Sequence, residues 1–433
     1  MIDLSRYVGI LGVLAIFGVA LLMSNNRGRI NWRLVGSGFA IQLLLAFFVL
    51  KVPFGQELFR NIGAAITRLL DYSDAGAKFV FGVLVNSDKM TKLFGPEGAF
   101  VFAFRVVPTI IFVSSLVSIS YYLGIMQRVV QVVARVVSVL MGASGAEALS
   151  NAASVFVGQV EAQLLIRPYV ASMTMSELLA SMTGSMACVA GGVLAVYIAL
   201  GIKASYLLTA SVMAAPGGLV ISKIVWPETE ESKTKGKVQI EVTKSNANII
   251  DAAAHGASDG LRIGLNVVAM LIAFIAIVAL IDGTLTWIGG SLSRFGISGA
   301  PLGLDLPHLK LADLFGVCFA PVAWLMGVPW ADASVAGRLM GEKLTINEFF
   351  AYMDMSKILQ GATQFHLGPR AEAITTFALC GFANFSSVAM QIGGIGEIAP
   401  SRRADLARLG IKALICGTMA SYLSATLAGL LTG

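Results

Sequence analysis

Charged residues are scarce in this chain. Asp, Glu, Lys and Arg make up 13% of its 433 residues, whereas a soluble globular domain has about 25%. Apolar residues account for 56% of the chain, and the mean hydropathy is +0.79. This composition excludes an ordinary soluble domain. It predicts an all-α polytopic membrane protein whose surroundings are the lipid bilayer.

Cysteine and histidine are also rare. The three histidines lie in the polar linker or near the ends of apolar runs, so the sequence offers no set of nucleophile, base and orienting residue. The four cysteines lie within apolar segments without paired spacing, which excludes a disulfide framework and a zinc site; they are Cys188, Cys318, Cys380 and Cys416. We therefore predict no catalytic residues and no cofactor.

Long apolar runs predict eight membrane spans, since one crossing needs about 20 residues. They lie at residues 7–24, 33–52, 98–124, 178–200, 205–225, 263–289, 371–395 and 405–430. The stretch at about 55–92 is shorter and charged. Its apolar residues recur at helical spacing while Arg60 and Arg68 face elsewhere, which predicts one helix lying in the membrane interface.

Basic residues collect after the first, fifth and seventh predicted spans. Lys and Arg concentrate in cytoplasmic loops, so the net charge of +6 is a topology signal and predicts no nucleic-acid partner. Alternating spans then place both termini outside. The charged stretch from Glu228 to Asn248 has no apolar period and is interpreted as a solvated tether between two halves of the molecule.

Two segments of the chain repeat the same residues in the same order. Leu140-Met141-Gly142 precedes Ala146-Glu147-Ala148, and Leu325-Met326-Gly327 precedes Ala331-Asp332-Ala333. The copies begin on opposite sides of the predicted membrane, which predicts inverted repeats. The predicted organisation is scaffold helices at 1–127, a first repeat at 128–225, a polar linker at 226–262, a scaffold helix at 263–289 and a second repeat at 290–433.

Polar residues interrupt each repeat twice. The interruptions at Gly158–Glu161 and Thr345–Glu348 predict two re-entrant helical hairpins, and those at Cys188–Gly192 and Gly381–Ser387 predict two broken spans. Glu161 and Glu348 are expected to be buried near the middle of the membrane, where a charged side chain costs roughly 2.5–3.5 kcal/mol and usually has a function.

Structural explanations remain open for these residues. Each carboxylate could cap a half-helix or pair with a basic residue such as Arg167. Asn384 and Ser387 could join helices by hydrogen bonds, and Phe382 could be a core residue. The residues also leave two other functions open. One is an intramembrane enzyme that uses Glu161 and Glu348 as a carboxylate pair, and the other is a passive channel.

Three motifs resemble the concentrative nucleoside transporters. They are Phe156-Val157-Gly158-Gln159-Val160-Glu161, Asn347-Glu348-Phe349, and the run from Ala378 to Ser387 that continues to Gly396. The resemblance covers essentially the whole chain and is strongest to bacterial members, which implies a symporter in the bacterial inner membrane. It also implies a homotrimer in which each protomer moves a transport domain by an elevator mechanism.

The resemblance also assigns the candidate site residues. It implies that Gln159 and Glu161 lie near the nucleobase, that Phe382 lies against the base, and that the ribose hydroxyls meet Glu348, Asn384 and Ser387. Many members have Thr where this chain has Val160, so base preference is not inherited. The expected substrate is a nucleoside such as uridine.

The candidate ion site departs from the sodium-coupled members of that family. They have Asn and Ser where this chain has Ser154 and Cys188. Sulfur is a poor ligand for a hard cation, although the carbonyls of Val157 and Val189 remain available. Both sodium and proton coupling therefore stay open.

Overall fold

The computed structural model describes residues 5–94, 101–235, 246–297, 299 and 304–432, and all regular structure among them is helical. The helices of the first third are α1 (Ser5–Leu22), α2 (Trp32–Leu50), α3 (Pro53–Asp71), α4 (Ser73–Phe81), α5 (Ser87–Phe94), α6 (Phe102–Tyr122) and α7 (Ile125–Met141). The predicted interfacial helix at about 55–92 is thus three helices, α3 to α5. The single-helix prediction was wrong because the helix is interrupted at Tyr72, between α3 and α4, and because Gly82, which has a φ of 58°, ends α4.

The middle of the chain forms short helices followed by two long ones. They are α8 (Gly145–Ser154), α9 (Glu161–Leu164), α10 (Arg167–Val170), α11 (Met175–Ala187), α12 (Gly191–Ala199), α13 (Ala204–Val225) and α14 (Ile249–Arg294). The C-terminal part contains α15 (Leu311–Leu325), α16 (Trp330–Thr345), α17 (Glu348–Leu359), α18 (Pro369–Leu379), α19 (Phe385–Ile398) and α20 (Arg403–Leu431).

Six helical stretches in the described part of the chain are long and apolar enough to cross a membrane. They are Trp32–Leu50, Ala103–Tyr122, Met175–Ala199, Ala204–Val225, Ile249–Arg294 and Pro400–Leu431, and each coincides with a predicted span. The predicted first span is a shorter apolar helix, Tyr7–Leu22. The predicted span at 371–395 is two helices, α18 and α19.

The predicted polar linker at 226–262 is shorter in the structure, because α14 begins at Ile249. The side chain of Asn248 caps this helix by accepting from the backbone N–H groups of Ile250 and Asp251. Small residues at every fourth position then face α6: Ala252, Gly256, Gly260 and Gly264 are buried. A side chain at Gly256 would place its Cβ 2.6 Å from the Ser114 carbonyl oxygen, so glycine allows this close approach.

The repeated Leu-Met-Gly motif has the same role in both copies. Gly142 ends α7 with a φ of 71°, and Gly327 follows the end of α15 with a φ of 97°. Glycine adopts these angles without steric cost, so the chain turns sharply into α8 and into α16. The sequence did not predict α7 and α15 as separate helices. The inverted relation of the two repeats remains a prediction.

The chain is interrupted where the polar motifs predicted. The first hairpin has a non-helical tip between α8 and α9, and the second is interrupted at Ile346 and Asn347, between α16 and α17. The two broken spans are interrupted at residues 188–190, between α11 and α12, and at residues 380–384, between α18 and α19.

The two broken spans touch where they are broken. The backbone N–H of Phe382 donates to the carbonyl of Cys188 at 3.2 Å. Gly381 has a φ of 153°, and a Cβ there would lie 2.8 Å from both the Ala187 carbonyl oxygen and the Ser421 hydroxyl. Beside this contact, the N–H of Gly191 donates to the carbonyl of Phe156 at 3.1 Å. The first hairpin tip therefore also contacts the crossing, the point where the two broken spans touch.

A buried ion cluster holds together the starts of α8 and α11. The ammonium of Lys223, near the end of α13, lies 2.6 Å from a carboxylate oxygen of Glu147 and 3.4 Å from one of Glu228. It also donates to the Ser176 hydroxyl at 2.9 Å. Part of the predicted tether is thus docked on the protein, because Glu228 belongs to this cluster and Thr234 is buried.

We predict that Gly381→Ala destabilises the crossing. Its Cβ would press against two oxygen atoms in a backbone conformation that favours glycine, at a cost of about 1–3 kcal/mol. Thermal unfolding of the purified protein in detergent should show a lower midpoint. Gly393→Ala is the matched control, because a Cβ at Gly393 meets nothing within 4 Å. Equal midpoints for the two variants would contradict the close approach.

We also predict that Lys223→Met destabilises the fold by about 3–5 kcal/mol, since it leaves the buried Glu147 carboxylate without its cation. Denaturant unfolding followed by tryptophan fluorescence measures the loss. The double variant Lys223→Met/Glu147→Gln should recover part of it, because no buried charge is then left alone. A single variant as stable as the parent would show that the cluster contributes little.

Candidate functional site

The carboxylate of Glu348 is buried at the second hairpin tip. Asn347 caps α17 by accepting from the N–H of Phe350 at 2.9 Å, which places Glu348 at the first helical position. One carboxylate oxygen accepts from the Tyr197 hydroxyl at 2.9 Å, and the other accepts from the Asn384 side-chain amide at 3.1 Å. The residue is 4% exposed. Two neutral donors thus hold an acidic group in the apolar interior.

Asn384 is fixed by the break in the second broken span. It caps α19, and its side-chain oxygen accepts from the Ser387 N–H at 2.9 Å and from the Ser386 hydroxyl at 2.7 Å. With its oxygen occupied in this way, the amide nitrogen points to Glu348. The capping requirement of a helix that begins inside the protein therefore orients the Asn384 amide.

Gln159 extends this network from the first hairpin tip. Its amide nitrogen donates to the Ser387 hydroxyl at 3.2 Å, and its oxygen accepts from Gln391 at 3.4 Å. Gln391 also donates to the carbonyl of Met182 in α11 at 3.2 Å. A continuous polar network thus connects both hairpins with both broken spans. It contains Gln159, Gln391, Ser387, Asn384, Glu348 and Tyr197.

The remaining predicted substrate residues lie around this network. Phe382 is partly buried at the break that precedes Asn384. Val160 packs on α19, where a Cβ at Gly394 would lie 2.6 Å from its side chain.

Glu161 differs from the prediction, because it is exposed rather than buried. It begins the short helix α9, and its carboxylate folds back over Gly158, where a Cβ would collide with it. The symmetric pair of buried carboxylates was therefore a wrong prediction.

The predicted ion-site residues lie beside a second polar network. The Ser154 hydroxyl donates to the Ser150 carbonyl at 2.8 Å and shares a hydrogen bond with Ser185 at 3.0 Å. Gln163 in turn donates to Ser185 at 2.7 Å. Ser154 is thus held between the first hairpin and α11, and its oxygen keeps acceptor capacity for a cation.

The other three predicted ion ligands lie at the breaks themselves. Val157 is in the first hairpin tip, and Cys188 and Val189 are in the first broken span; all three are buried. The Cys188 thiol donates to the Ser211 carbonyl in α13 at 3.9 Å, so its hydrogen bond goes to a neighbouring helix. Among the predicted ion-site residues, the oxygen ligands suited to sodium are therefore the Ser154 hydroxyl and two backbone carbonyls. These are few ligands for a hard cation.

Two residues of the continuous polar network were not predicted from the sequence. Tyr197 lies in an apolar run of α12, where an aromatic residue gives no signal that separates it from the core. Gln391 is different, because a glutamine inside an apolar span does indicate a buried hydrogen bond.

Three family models match the chain. The model described as Na+ dependent nucleoside transporter C-terminus matches residues 206–429, the corresponding N-terminus matches residues 11–84, and a nucleoside-recognition gate model matches residues 103–204. The first of these alone covers more than half of the chain. No catalytic family is among them.

Curated relatives agree with the family models. An uncharacterized transporter of Haemophilus influenzae is 45% identical over 98% of this chain and 97% of its own length. The nucleoside permease NupC of Helicobacter pylori is 40% identical over 99% of this chain and 98% of its own. The sodium/nucleoside cotransporter 1 of mouse is 40% identical over 96% of this chain and 63% of its own.

Solved structures of CNTnw are similar over the whole fold and 43% identical in sequence. An inward-facing, substrate-bound structure has a TM-score of 0.90 and covers 100% of this chain and 98% of its own. An outward-facing structure of a double variant has a TM-score of 0.93 and covers 99% of both chains. The two states support transport by alternating access. The chain belongs to the concentrative nucleoside transporter family, described as Na+-dependent, and it is a membrane transporter for nucleosides rather than an enzyme.

Proposed function

We propose that this chain imports nucleosides such as uridine across the bacterial inner membrane, coupled to a cation. The observation that carries the proposal is the continuous polar network from Gln159 to Tyr197. Each of the two hairpins and each of the two broken spans contributes at least one side chain to this network. A ligand bound there would therefore contact all four segments, which are the ones that a change of access would move. A central site of this kind can face either side of the membrane.

The ribose is assigned to Glu348 and its neighbours. A ribose carries two adjacent hydroxyl donors, and an ionised carboxylate accepts both in strong charge-assisted hydrogen bonds. Tyr197 and Asn384 occupy the two carboxylate oxygens in the present structure. We propose that the diol replaces these bonds, with Asn384 and Ser387 completing the contacts.

The nucleobase is assigned to the first hairpin tip. Gln159 has both a donor and an acceptor and can pair with the edge of a base. Phe382 offers a flat ring for stacking. Val160 and the exposed Glu161 border the same tip, so they are proposed to contact the base from the solvent-accessible side.

Sodium is the coupling ion that the family description supports. We propose that it binds between Ser154 and the carbonyls of Val157 and Val189, beside Cys188. With sulfur in place of one oxygen ligand, binding should be weaker than in a full oxygen shell. A proton is the second candidate for the coupling ion.

The proposed assembly is a homotrimer in which a transport domain moves as an elevator. Helix α14 supports this proposal, since it packs closely on α6 while presenting large exposed apolar residues such as Ile272, Leu280 and Trp287. Some of that surface would contact lipid and some would contact other protomers. Both termini are proposed to lie outside.

Uptake of labelled uridine into proteoliposomes tests the function. Accumulation above the external concentration, driven by an imposed sodium or proton gradient, is the expected result. Equilibration without accumulation under either gradient would instead indicate a passive channel. The absence of any uridine flux would contradict nucleoside transport.

Glu348→Gln should weaken uridine binding tenfold or more. Loss of the charged acceptor costs about 1.5–3 kcal/mol, and a 2′-deoxynucleoside, with one hydroxyl fewer, should lose less. Isothermal titration of the purified protein measures both affinities. Glu397→Gln is the matched control, because this glutamate lies exposed on α19. Equal uridine affinity in Glu348→Gln and its control would remove Glu348 from the site.

Ser154→Asn should strengthen the response of uridine uptake to sodium. The amide side chain adds a carbonyl oxygen to the proposed ion site, and hard cations are bound by such oxygens. The expected result is a steeper sodium dependence of uridine uptake than in the parent. Ser172→Asn, near the end of the first hairpin, controls for a general effect of the larger side chain. Sodium dependence that is already complete in the parent and unaltered in Ser154→Asn would place Ser154 outside the ion site.

A further inference from the structure

The second hairpin contains another buried carboxylate, Glu342, which the substrate site does not use. It lies in α16, before the tip that carries Glu348, and it is 4% exposed. Its oxygen Oε2 has no hydrogen-bond partner among the described residues. Burial disfavours an ionised carboxylate when one of its oxygens has no partner to compensate the charge.

The charged groups around Glu342 do not neutralise it. Arg338 lies one turn earlier on the same helix, and the charges of Asp354 and Lys357 in α17 and of Asp282 in α14 also act on Glu342. Lys357 is paired with Asp354 at 2.7 Å, and Arg338 lies 3.6 Å from Asp313 in α15. Arg338 and Lys357 are therefore each next to another carboxylate.

The neighbouring Lys343 has a different role. Its ammonium is buried and donates to the carbonyl of Ala378 in α18 at 2.7 Å. Asp282 is also engaged, since one of its carboxylate oxygens accepts from the N–H of Leu311 at 2.8 Å. Glu342 is thus surrounded by groups that already have partners.

We propose that Glu342 is a proton-binding site. In the present conformation its carboxyl group holds a proton, which removes the charge that burial and the surrounding acidic residues disfavour. The inference rests on the proposed alternating access: when the second hairpin moves and water reaches Glu342, the O–H bond of the carboxyl breaks and the proton passes to water. The reverse transfer reloads the site.

The two carboxylates of this hairpin then have separate tasks. Glu348 has two hydrogen-bond donors and serves the nucleoside as an ionised acceptor. Glu342 has an oxygen, Oε2, without a hydrogen-bond partner among the described residues, and it carries the proton as a neutral acid. Proton binding therefore takes place away from the ribose and apart from the candidate sodium ligands.

Infrared spectroscopy of the purified protein tests the protonation directly, without transport. The difference spectrum between the parent and Glu342→Gln should contain the C=O stretching band of a protonated carboxyl group at neutral pH. Glu397→Gln should leave that band in place. If no protonated-carboxyl band is lost in Glu342→Gln, the proposal is wrong.

The pH dependence of uridine uptake tests the link to transport. Uptake by the parent should fall as rising pH ionises Glu342, whereas the uptake that remains in Glu342→Gln should not change with pH over that range. Asp354→Asn removes a repelling charge and should shift the fall to lower pH. Lys357→Met removes an attracting charge and should shift it to higher pH.

The outcomes separate this inference from the proposed function. Uridine uptake by Glu342→Gln with the pH profile of the parent, or equal profiles in Asp354→Asn and Lys357→Met, would overturn the role of Glu342 while leaving nucleoside transport intact. Failure of the parent to transport uridine would contradict the proposed function, and the infrared band would still decide the protonation of Glu342.

Discussion

The hydrogen bond from the Phe382 N–H to the Cys188 carbonyl joins two helices where both are broken. Unpaired backbone groups are not tolerated in the apolar core of a membrane, so broken helices persist there only when protein groups satisfy them. This constraint explains Gly381, where a side chain would collide with Ala187 and Ser421. It also positions the site, because Asn384 caps the helix that restarts after the break.

Charge is distributed unevenly between the two hairpins. The first has an exposed carboxylate at its tip, Glu161, and one buried carboxylate, Glu147, which is paired with Lys223. The second has two buried carboxylates, Glu342 and Glu348, and neither has an ion pair of this kind among the described residues. A buried carboxylate needs donors, a cation or a proton. Glu348 has donors from Tyr197 and Asn384, and the proposed proton meets the same need at Glu342. The second hairpin thus contains both the proposed ribose acceptor and the proposed proton carrier.

The sequence predicted most apolar helices and all four interruptions, because Gly, Asn and Glu inside apolar runs are strong signals. Comparison with known proteins confirmed the family. The burial of Glu161 was predicted wrongly, since symmetry between repeats does not fix the path of a side chain. Tyr197 was missed because it resembles a core aromatic. Glu342 was missed because Glu342-Lys343 looks like a solvated charged pair in the sequence. Its burial depends on packing by α15, α17 and α18, which the sequence does not show.

The network around Glu348 and Gln159 is proposed to bind the nucleoside. A structure of the purified protein with uridine bound is the most direct measurement. The ribose hydroxyls should lie within hydrogen-bonding distance of Glu348 and Asn384, and the base should lie between Gln159 and Phe382. The hydrogen bond from Tyr197 to Glu348 should be lengthened or replaced. Uridine bound elsewhere, with the present hydrogen bonds of Glu348 intact, would contradict this proposal.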